Sequence, residues 1–248
     1  MRFAASTRTA AETRSAADTR AAADAREADG TFFRVACLGD SMSDNDDDYP
    51  ARLAVLMGAT GTTLRKGVAG ERTDQMRTRL ATQVFTEKLT GVMVLGGVND
   101  ILQNNTAAQI KTSLENIYND IIAEGLKVYT VAILPFGGYS QWTAAREAVR
   151  KSVNAWMAQS GHEHVNAEPA MSTGSAARPA LTSAFAKADQ LHPSLAGSGE
   201  LAERIYAQAF TNEELTAAPT VESSLAVGAV TGSELSFTPV TPASLTLS

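Results

Sequence analysis

Ser41, His192, Asp189 and Asn99 are the residues of this 248-residue sequence whose types and spacing could do chemistry together, with Gly70 beside them. The run Phe33-Arg34-Val35-Ala36-Cys37-Leu38 is short and rich in β-formers, and it stops at Gly39-Asp40-Ser41. It reads as one buried strand that delivers a serine at its carboxyl end. That end of a parallel sheet is where open α/β folds gather their ligands. Alone, such a serine would do no more than cap the helix that follows. Three later stretches add to it: Gly67-Val68-Ala69-Gly70, where Gly70 reads as a place of close backbone approach, Gly96-Gly97-Val98-Asn99-Asp100 and Asp189-Gln190-Leu191-His192-Pro193. Acyl transfer needs a nucleophile, a base to take its proton, and donors for an oxyanion. Ser41 fits the first role and His192 the second. Asp189 precedes His192 by three residues, so one turn of chain can fold its carboxylate onto the imidazole. His192 stands in a turn and not on an apolar helical face, which argues against a buried structural histidine.

The elements that must position these residues alternate in type. Thr62 to Val68 reads as a second strand, Gly91 to Gly96 as a third and fully apolar one, Lys127 to Leu134 as a fourth, and His164-Val165-Asn166 as the centre of a fifth. Helices fall between them at Ala51–Met57, from Thr73 as its cap with Met76, Leu80 and Val84 on one face, at 106–124 with Ile110, Leu114, Ile117 and Ile121 as its stripe, and from Thr143 with Val149, Val153 and Trp156. A loop of low apolar content then runs to Leu181, and a last helix runs from Leu195 to Phe210. Strands alternating with helices give a three-layer α/β/α sandwich, because right-handed crossovers place helices on both faces.

The four blocks resemble those of the SGNH (GDSL-type) esterase and lipase superfamily: Gly39-Asp40-Ser41, the lone Gly70 in a second loop, Gly97-Val98-Asn99-Asp100, and Asp189-Gln190-Leu191-His192-Pro193. The similarity covers 32–210. The stretch Leu134-Pro135-Phe136-Gly137-Gly138-Tyr139-Ser140-Gln141-Trp142 with Ala145-Arg146-Glu147 resembles a bacterial subgroup of that superfamily. The resemblance implies a flavodoxin-like strand order 2-1-3-4-5, with Ser41 and Asn99 ending the two strands that flank the crevice. It also implies a Ser41, His192 and Asp189 triad, with the backbone N–H groups of Ser41 and Gly70 and the side-chain amide of Asn99 as oxyanion hole. Asp40, Tyr139 and Trp142 are candidate substrate contacts, and Asp40 and Asp100 are also read as holding their loops in place. The activity implied is hydrolysis of short acyl esters, O-acetyl groups on a carbohydrate first, with no cofactor and no metal. A lipase or thioesterase with the same site is the alternative, and so is a non-catalytic glycan-binding or fibre module on the hydrolase fold.

Other features carry blander readings. Asp44-Asn45-Asp46-Asp47-Asp48 lacks the turn glycine of a calcium loop and has Val55 where the bidentate glutamate would stand, so these carboxylates are read as complementing the dipole of a helix that Pro50 starts. His162-Glu163-His164 has no further ligands at zinc-like spacing. Cys37 is the only cysteine, which excludes disulfides and marks a small core residue. The net charge of −6 and the absence of a basic cluster point away from nucleic acid. No apolar run reaches membrane-spanning length, and Met1 to Arg8 lacks the apolar region of a signal peptide.

The ends differ from the centre in composition. Residues 1–30 are dominated by Ala, Thr, Arg, Asp and Glu, with Arg8, Arg14, Arg20 and Arg26 evenly spaced. The segment is helix-prone yet has almost nothing large to bury, so it reads as a solvated leader or as the stalk of a homo-oligomeric fibre. Similar segments occur in phage tail-fibre and appendage proteins, which would place the chain outside the cell. The core domain is 31–210. Residues 211–248 hold four acidic residues and no basic one; Val221–Val230 and Glu234–Val240 are either strands of an attachment segment or part of a flexible end.

Overall fold

Apolar strands that end together bring their following loops together, and that is how this chain builds its rim. The computed structural model describes residues 33–58 and 61–210. The leader, the tail with its two candidate strands, and any oligomer-forming role for residues 1–30 lie outside the described residues. Within them, β1 (Phe33–Gly39), β2 (Gly61–Gly67), β3 (Gly91–Leu95), β4 (Lys127–Val131) and β5 (Glu163–Val165) form one sheet in the order β2-β1-β3-β4-β5. All four pairings are parallel. Val35 to Leu38 and Val92 to Leu95 are buried, as strands covered on both faces must be. The register pairs Gly39, the last residue of β1, with Gly67 on one side and Leu95 on the other. Three loops, beginning at Asp40, Val68 and Gly96, therefore leave the sheet at one level.

Seven helices accompany the strands among the described residues: α1 (Tyr49–Met57), α2 (Thr73–Thr78), α3 (Val98–Leu102), α4 (Ala107–Ala123), α5 (Ala144–Met157), α6 (Glu168–Met171) and α7 (Leu195–Ala209). α1 packs on α7, whereas α2 packs on α4 and α4 on α5. The split follows from handedness. The crossover from β1 to β2 runs one way along the sheet and every later one runs the other way, so right-handed connections put α1 on the opposite face from α2, α4 and α5. The reversal leaves a crevice between β1 and β3. α4 shows why its residues form a helix there: Thr106 caps it by accepting from the Gln109 N–H at 3.3 Å, and Ile110, Leu114, Ile117 and Ile121 form its buried stripe.

Several local expectations change. Thr73 is not a cap, since Arg72 holds that place. The Thr73 N–H and hydroxyl both bond Asp100, at 2.9 and 2.8 Å, so a partner 27 residues away claims the group. Nor is the helix after it continuous. It breaks at Arg79 (φ −102°, ψ 0°), and Leu80–Val84 form a wider π-helical turn closed by the Phe85 N–H on the Leu80 carbonyl at 2.9 Å. Met76, Leu80 and Val84 are buried all the same. The stretch before Leu181, read as loop, holds an antiparallel hairpin of β6 (Ser172–Ser175) and β7 (Arg178–Leu181). Its strands have four residues each and only β7 alternates in burial, too little to be distinguished from chance in sequence. Asp48 holds the N-cap position of α1 but its carboxylate makes no cap bond there, accepting instead the N–H groups of Asp44 (3.0 Å) and Asn45 (2.8 Å), while Asp46 pairs with Arg65 at 2.9 Å. Cys37 is buried in β1, and burial pushes its thiol up to about 12.

Candidate active site

The chain leaves β1 through a tight turn closed by the Ser43 N–H on the Asp40 carbonyl at 3.0 Å, and this turn lifts Ser41 onto the rim. A residue larger than glycine at position 39 would spoil it. A Cβ there would run into the Ser43 hydroxyl and lie 2.7 Å from the Leu95 carbonyl oxygen. Ser41 Oγ lies 2.8 Å from His192 Nε2, and His192 Nδ1 lies 2.6 Å from Asp189 Oδ2. The second oxygen of Asp189 accepts the N–H groups of Leu191 (2.9 Å) and His192 (3.0 Å). A three-residue turn thus fixes carboxylate and imidazole against one another, with Gln190 taking the left-handed φ of +60° that the turn requires. Burial raises the Asp189 pKa, but the His192 and Leu191 N–H groups and the imidazole outweigh it and hold the carboxyl below its ordinary value. The His192 side chain is 27% exposed and that of Asp189 42%, so the pair is open to solvent from one side. A hydroxyl, an imidazole and a carboxylate in this order form the arrangement by which a serine is made nucleophilic.

The neighbouring loops stand where the register puts them. After β2, the Glu71 N–H bonds the Val68 carbonyl at 3.2 Å, and Gly70 takes φ +80° in the third place of that turn, as a type II turn needs. The sequence suggested that Gly70 allows a close approach of backbone. Within the described protein a Cβ there would meet nothing within 4 Å, so the positive φ is what the fold itself requires. Asn99 lies in the first turn of α3, where its Nδ2 donates to the Glu71 carbonyl at 3.0 Å. One amide hydrogen ties the third loop to the second, and the other is left over. Asp100, fully buried, accepts from Thr73 twice and from Asn105 Nδ2 at 3.2 Å, in keeping with a loop-holding role.

Asp40 departs from its reading as a substrate contact. It is 1% exposed, and its Oδ1 accepts the Met42 N–H at 3.0 Å, so it supports the Ser41 turn from beneath. Burial pushes its carboxyl up to about 7. Tyr139 and Trp142 are partly buried in the loop after β4. That loop sits against the histidine turn: a Cβ at Gly138 would lie 2.8 Å from the Gln190 Cβ. It is fixed from the side as well, because Arg178 of β7 stacks 4.7 Å from the Trp142 ring and donates to the Gly137 carbonyl at 2.7 Å.

Residues not singled out by sequence complete the rim. Arg79 donates through Nε to Glu71 Oε2 at 2.7 Å, and through Nη2 to the carbonyls of Lys66 (2.6 Å) and Gly39 (3.1 Å). No spacing marks them, since two of the three acceptors are backbone. The histidines at 162 and 164 are used elsewhere: His162 stands edge-on to Tyr118, and His164 Nδ1 lies 2.8 Å from Thr130 Oγ1. Among the described residues no group of three or more His, Cys, Asp or Glu side chains is placed to hold a metal ion, and no helix is long and apolar enough to cross a membrane.

The GDSL-like Lipase/Acylhydrolase family model matches residues 37–199. No curated protein matches the chain significantly. Solved structures similar to it include a lipase/acylhydrolase from Enterococcus faecalis, at 23% identity and TM-score 0.58, covering 70% of this chain and 93% of that one. A GDSL-like lipase from Bacteroides thetaiotaomicron VPI-5482 is 18% identical with TM-score 0.56, over 75% of this chain and 89% of that one. A mutant of an acetyl-xylooligosaccharide esterase from Geobacillus Stearmophilus is 16% identical with TM-score 0.59, over 73% and 96%. At such identities the likeness is one of fold. The family match spans all four blocks on which the rim is built, and on it the chain belongs to the GDSL-like lipase/acylhydrolase family of carboxylic ester hydrolases.

Proposed function

We propose that the chain is a serine esterase that removes short acyl groups, O-acetyl first, from a carbohydrate, with residues 31–210 as its hydrolase domain. The observation that carries this reading is the relay from Ser41 Oγ through His192, at 2.8 Å, to Asp189, at 2.6 Å. Ser41 Oγ attacks the acyl carbon while His192 Nε2 takes the hydroxyl proton. The charge that develops on the carbonyl oxygen is met by the N–H groups of Ser41 and Gly70, which donate to no protein acceptor among the described residues, and by the spare Asn99 amide hydrogen. His192 then passes its proton to the leaving alcohol, which departs and leaves an acyl-Ser41 ester. Water, deprotonated by His192, attacks that ester; the carboxylic acid leaves and Ser41 recovers its proton. Asp189, kept ionised, holds the Nδ1–H tautomer and stabilises the imidazolium in both halves.

The substrate class rests on the walls. Tyr139 and Trp142 place aromatic surface beside the histidine turn, suited to the apolar face of a sugar ring. Arg178 and Gly138 pin this wall in place, which favours a preformed, open site over an apolar lid that folds over a long acyl chain. The test is a chain-length series of p-nitrophenyl esters run beside acetate release from an acetylated polysaccharide. Acetyl should be the preferred acyl group in both assays. Preference for long chains would replace the acetyl-esterase reading with the lipase or thioesterase one.

A further inference from the structure

We propose that Arg79 and Glu71 are positioning residues for the oxyanion-binding side of this site, an inference that rests on the esterase reading above. The Arg79 side chain is 7% exposed and that of Glu71 16%. A buried ion pair costs several kcal/mol of desolvation, and an apolar residue of similar size commonly serves the fold as well or better. What the guanidinium offers instead is directed donors in a rigid fork. Here they reach β1 at Gly39, two residues before Ser41, and β2 at Lys66, four residues before Gly70. They also reach the side chain of Glu71, the residue next to Gly70. Glu71 in turn accepts the Asn99 amide on its own carbonyl. One side chain is thereby connected to all three segments that carry the proposed oxyanion donors, while the Ser41–His192–Asp189 relay receives no bond from it.

The local backbone is shaped around this contact. The helix breaks at Arg79 and reopens as a π-helical turn, a feature that places a side chain where a regular helix would not. Oxyanion donors act over a narrow distance range, and a displacement of about 1 Å remote from the chemistry can cost about 10²-fold in rate. Glu71 is therefore the pivot: remove its carboxylate and Arg79 loses the bond that aligns its fork, so Gly70 and Asn99 lose their common reference.

The experiment uses the full chain with p-nitrophenyl acetate, reading kcat, KM, the pH profile of kcat/KM and Tm for Glu71→Ala, Glu71→Gln, Asn99→Ala and the Glu71→Ala/Asn99→Ala double variant. Glu71→Ala should lower kcat by about 10- to 100-fold with KM changed less than about 2-fold. The acid limb of its pH profile should stay where the wild type has it, because the relay is untouched. Glu71→Gln keeps an acceptor for Arg79 Nε and should restore most of the rate. Asn99→Ala should lose about 10²–10³ in kcat, and the double variant should fall well short of the product of the single losses, because both act on the same donors. An unchanged kcat in folded Glu71→Ala, or losses that multiply, would overturn the inference. Should Glu71→Ala fail to fold, Arg79→Lys keeps the charge but cannot span the three acceptors. It should lose at least about 10-fold in kcat, and wild-type kcat in it would overturn the inference equally. A wild-type protein inactive on every ester would instead remove the esterase reading beneath it.

Discussion

Two buried arginines in this molecule do the same local thing in different places. Arg79 bonds the carbonyls of Gly39 and Lys66 at the ends of β1 and β2 and is neutralised by Glu71. Arg150, on α5, bonds the Ile133 carbonyl just past β4 at 2.9 Å. It is neutralised by Glu147, through 2.7 and 3.0 Å contacts, and by Glu168 at 2.7 Å. Each uses a planar fork to fasten backbone carbonyls at or just past a strand end. The segments they fasten differ: those held by Arg79 lead to Ser41 and to Gly70 and Glu71, on whose carbonyl Asn99 is tied, whereas the one held by Arg150 leads to the wall of Tyr139 and Trp142. On the proposal made above, an ion pair of this kind acts on rate or on stability according to what the next few residues carry, not according to its own strength.

The largest effect expected isolates the site side of that contrast. Ser41→Ala or His192→Ala should reduce kcat by about 10⁶-fold, while Tm stays near that of the wild type, because a half-buried hydroxyl or a partly exposed imidazole contributes little to folding. Residual wild-type turnover in Ser41→Ala, checked by titrating the preparation with a fluorophosphonate, would end the serine mechanism. On the other side of the contrast, Arg150→Ala leaves Glu147 buried with only the 3.8 Å contact of the half-exposed Lys151 and should cost about 3 kcal/mol of stability. Urea denaturation measures that loss, and kcat per folded molecule should remain within a few-fold of wild type. A kcat loss like that of Glu71→Ala would erase the distinction between the two arginines.

How much of this was legible in the sequence depends on the range of each contact. Asp189 and His192 were readable as partners because the contact spans three residues, and Ser41 because a strand pattern ends two residues before it. The strand order came with the family's blocks and matches the sheet. Arg79 and Glu71 were silent, since a guanidinium that bonds backbone carbonyls leaves no mark in the identity of its partners. Thr73 looked like a cap because the buried Asp100 that competes for its hydroxyl lies 27 residues on. The hairpin of β6 and β7 was too short to show a period. Gly70 was legible as a glycine, and within the described protein it takes a positive φ with no neighbour crowding its Cα.

Asp40 tests the contrast through pH. Unlike Glu71 and Glu147 it has no Lys or Arg partner among the described residues, only the Met42 N–H, and its carboxyl sits at about 7 against an ordinary 3.8. The folded state holds this proton more tightly than the unfolded chain does. Its contribution to stability is therefore complete below about pH 4 and is lost as pH rises through 7. Asp40→Asn keeps an oxygen for the Met42 N–H and has no proton to lose. Its Tm should match wild type near pH 4 and exceed it by a growing margin up to pH 8, with kcat within a few-fold at pH 7. A large kcat loss at constant Tm would return Asp40 to the substrate-contacting role first read for it.

The smallest expected effect falls on the site side and separates two reasons for one glycine. At φ +80° an alanine at position 70 pays about 1–2 kcal/mol of backbone strain, and with nothing within 4 Å of its Cβ no steric cost adds to it. If the donor N–H is held by the turn and by Glu71, as the Arg79 linkage requires, Gly70→Ala should lower stability by that amount and kcat by only a few-fold. If instead the bare Cα is needed because the acyl group packs directly on it, kcat should fall by about 10²-fold or more while stability drops by the same 1–2 kcal/mol. Urea denaturation beside p-nitrophenyl acetate and p-nitrophenyl butyrate kinetics distinguishes the two, because a Cβ that meets the substrate penalises the longer acyl chain more than acetyl, whereas a strained turn slows both alike.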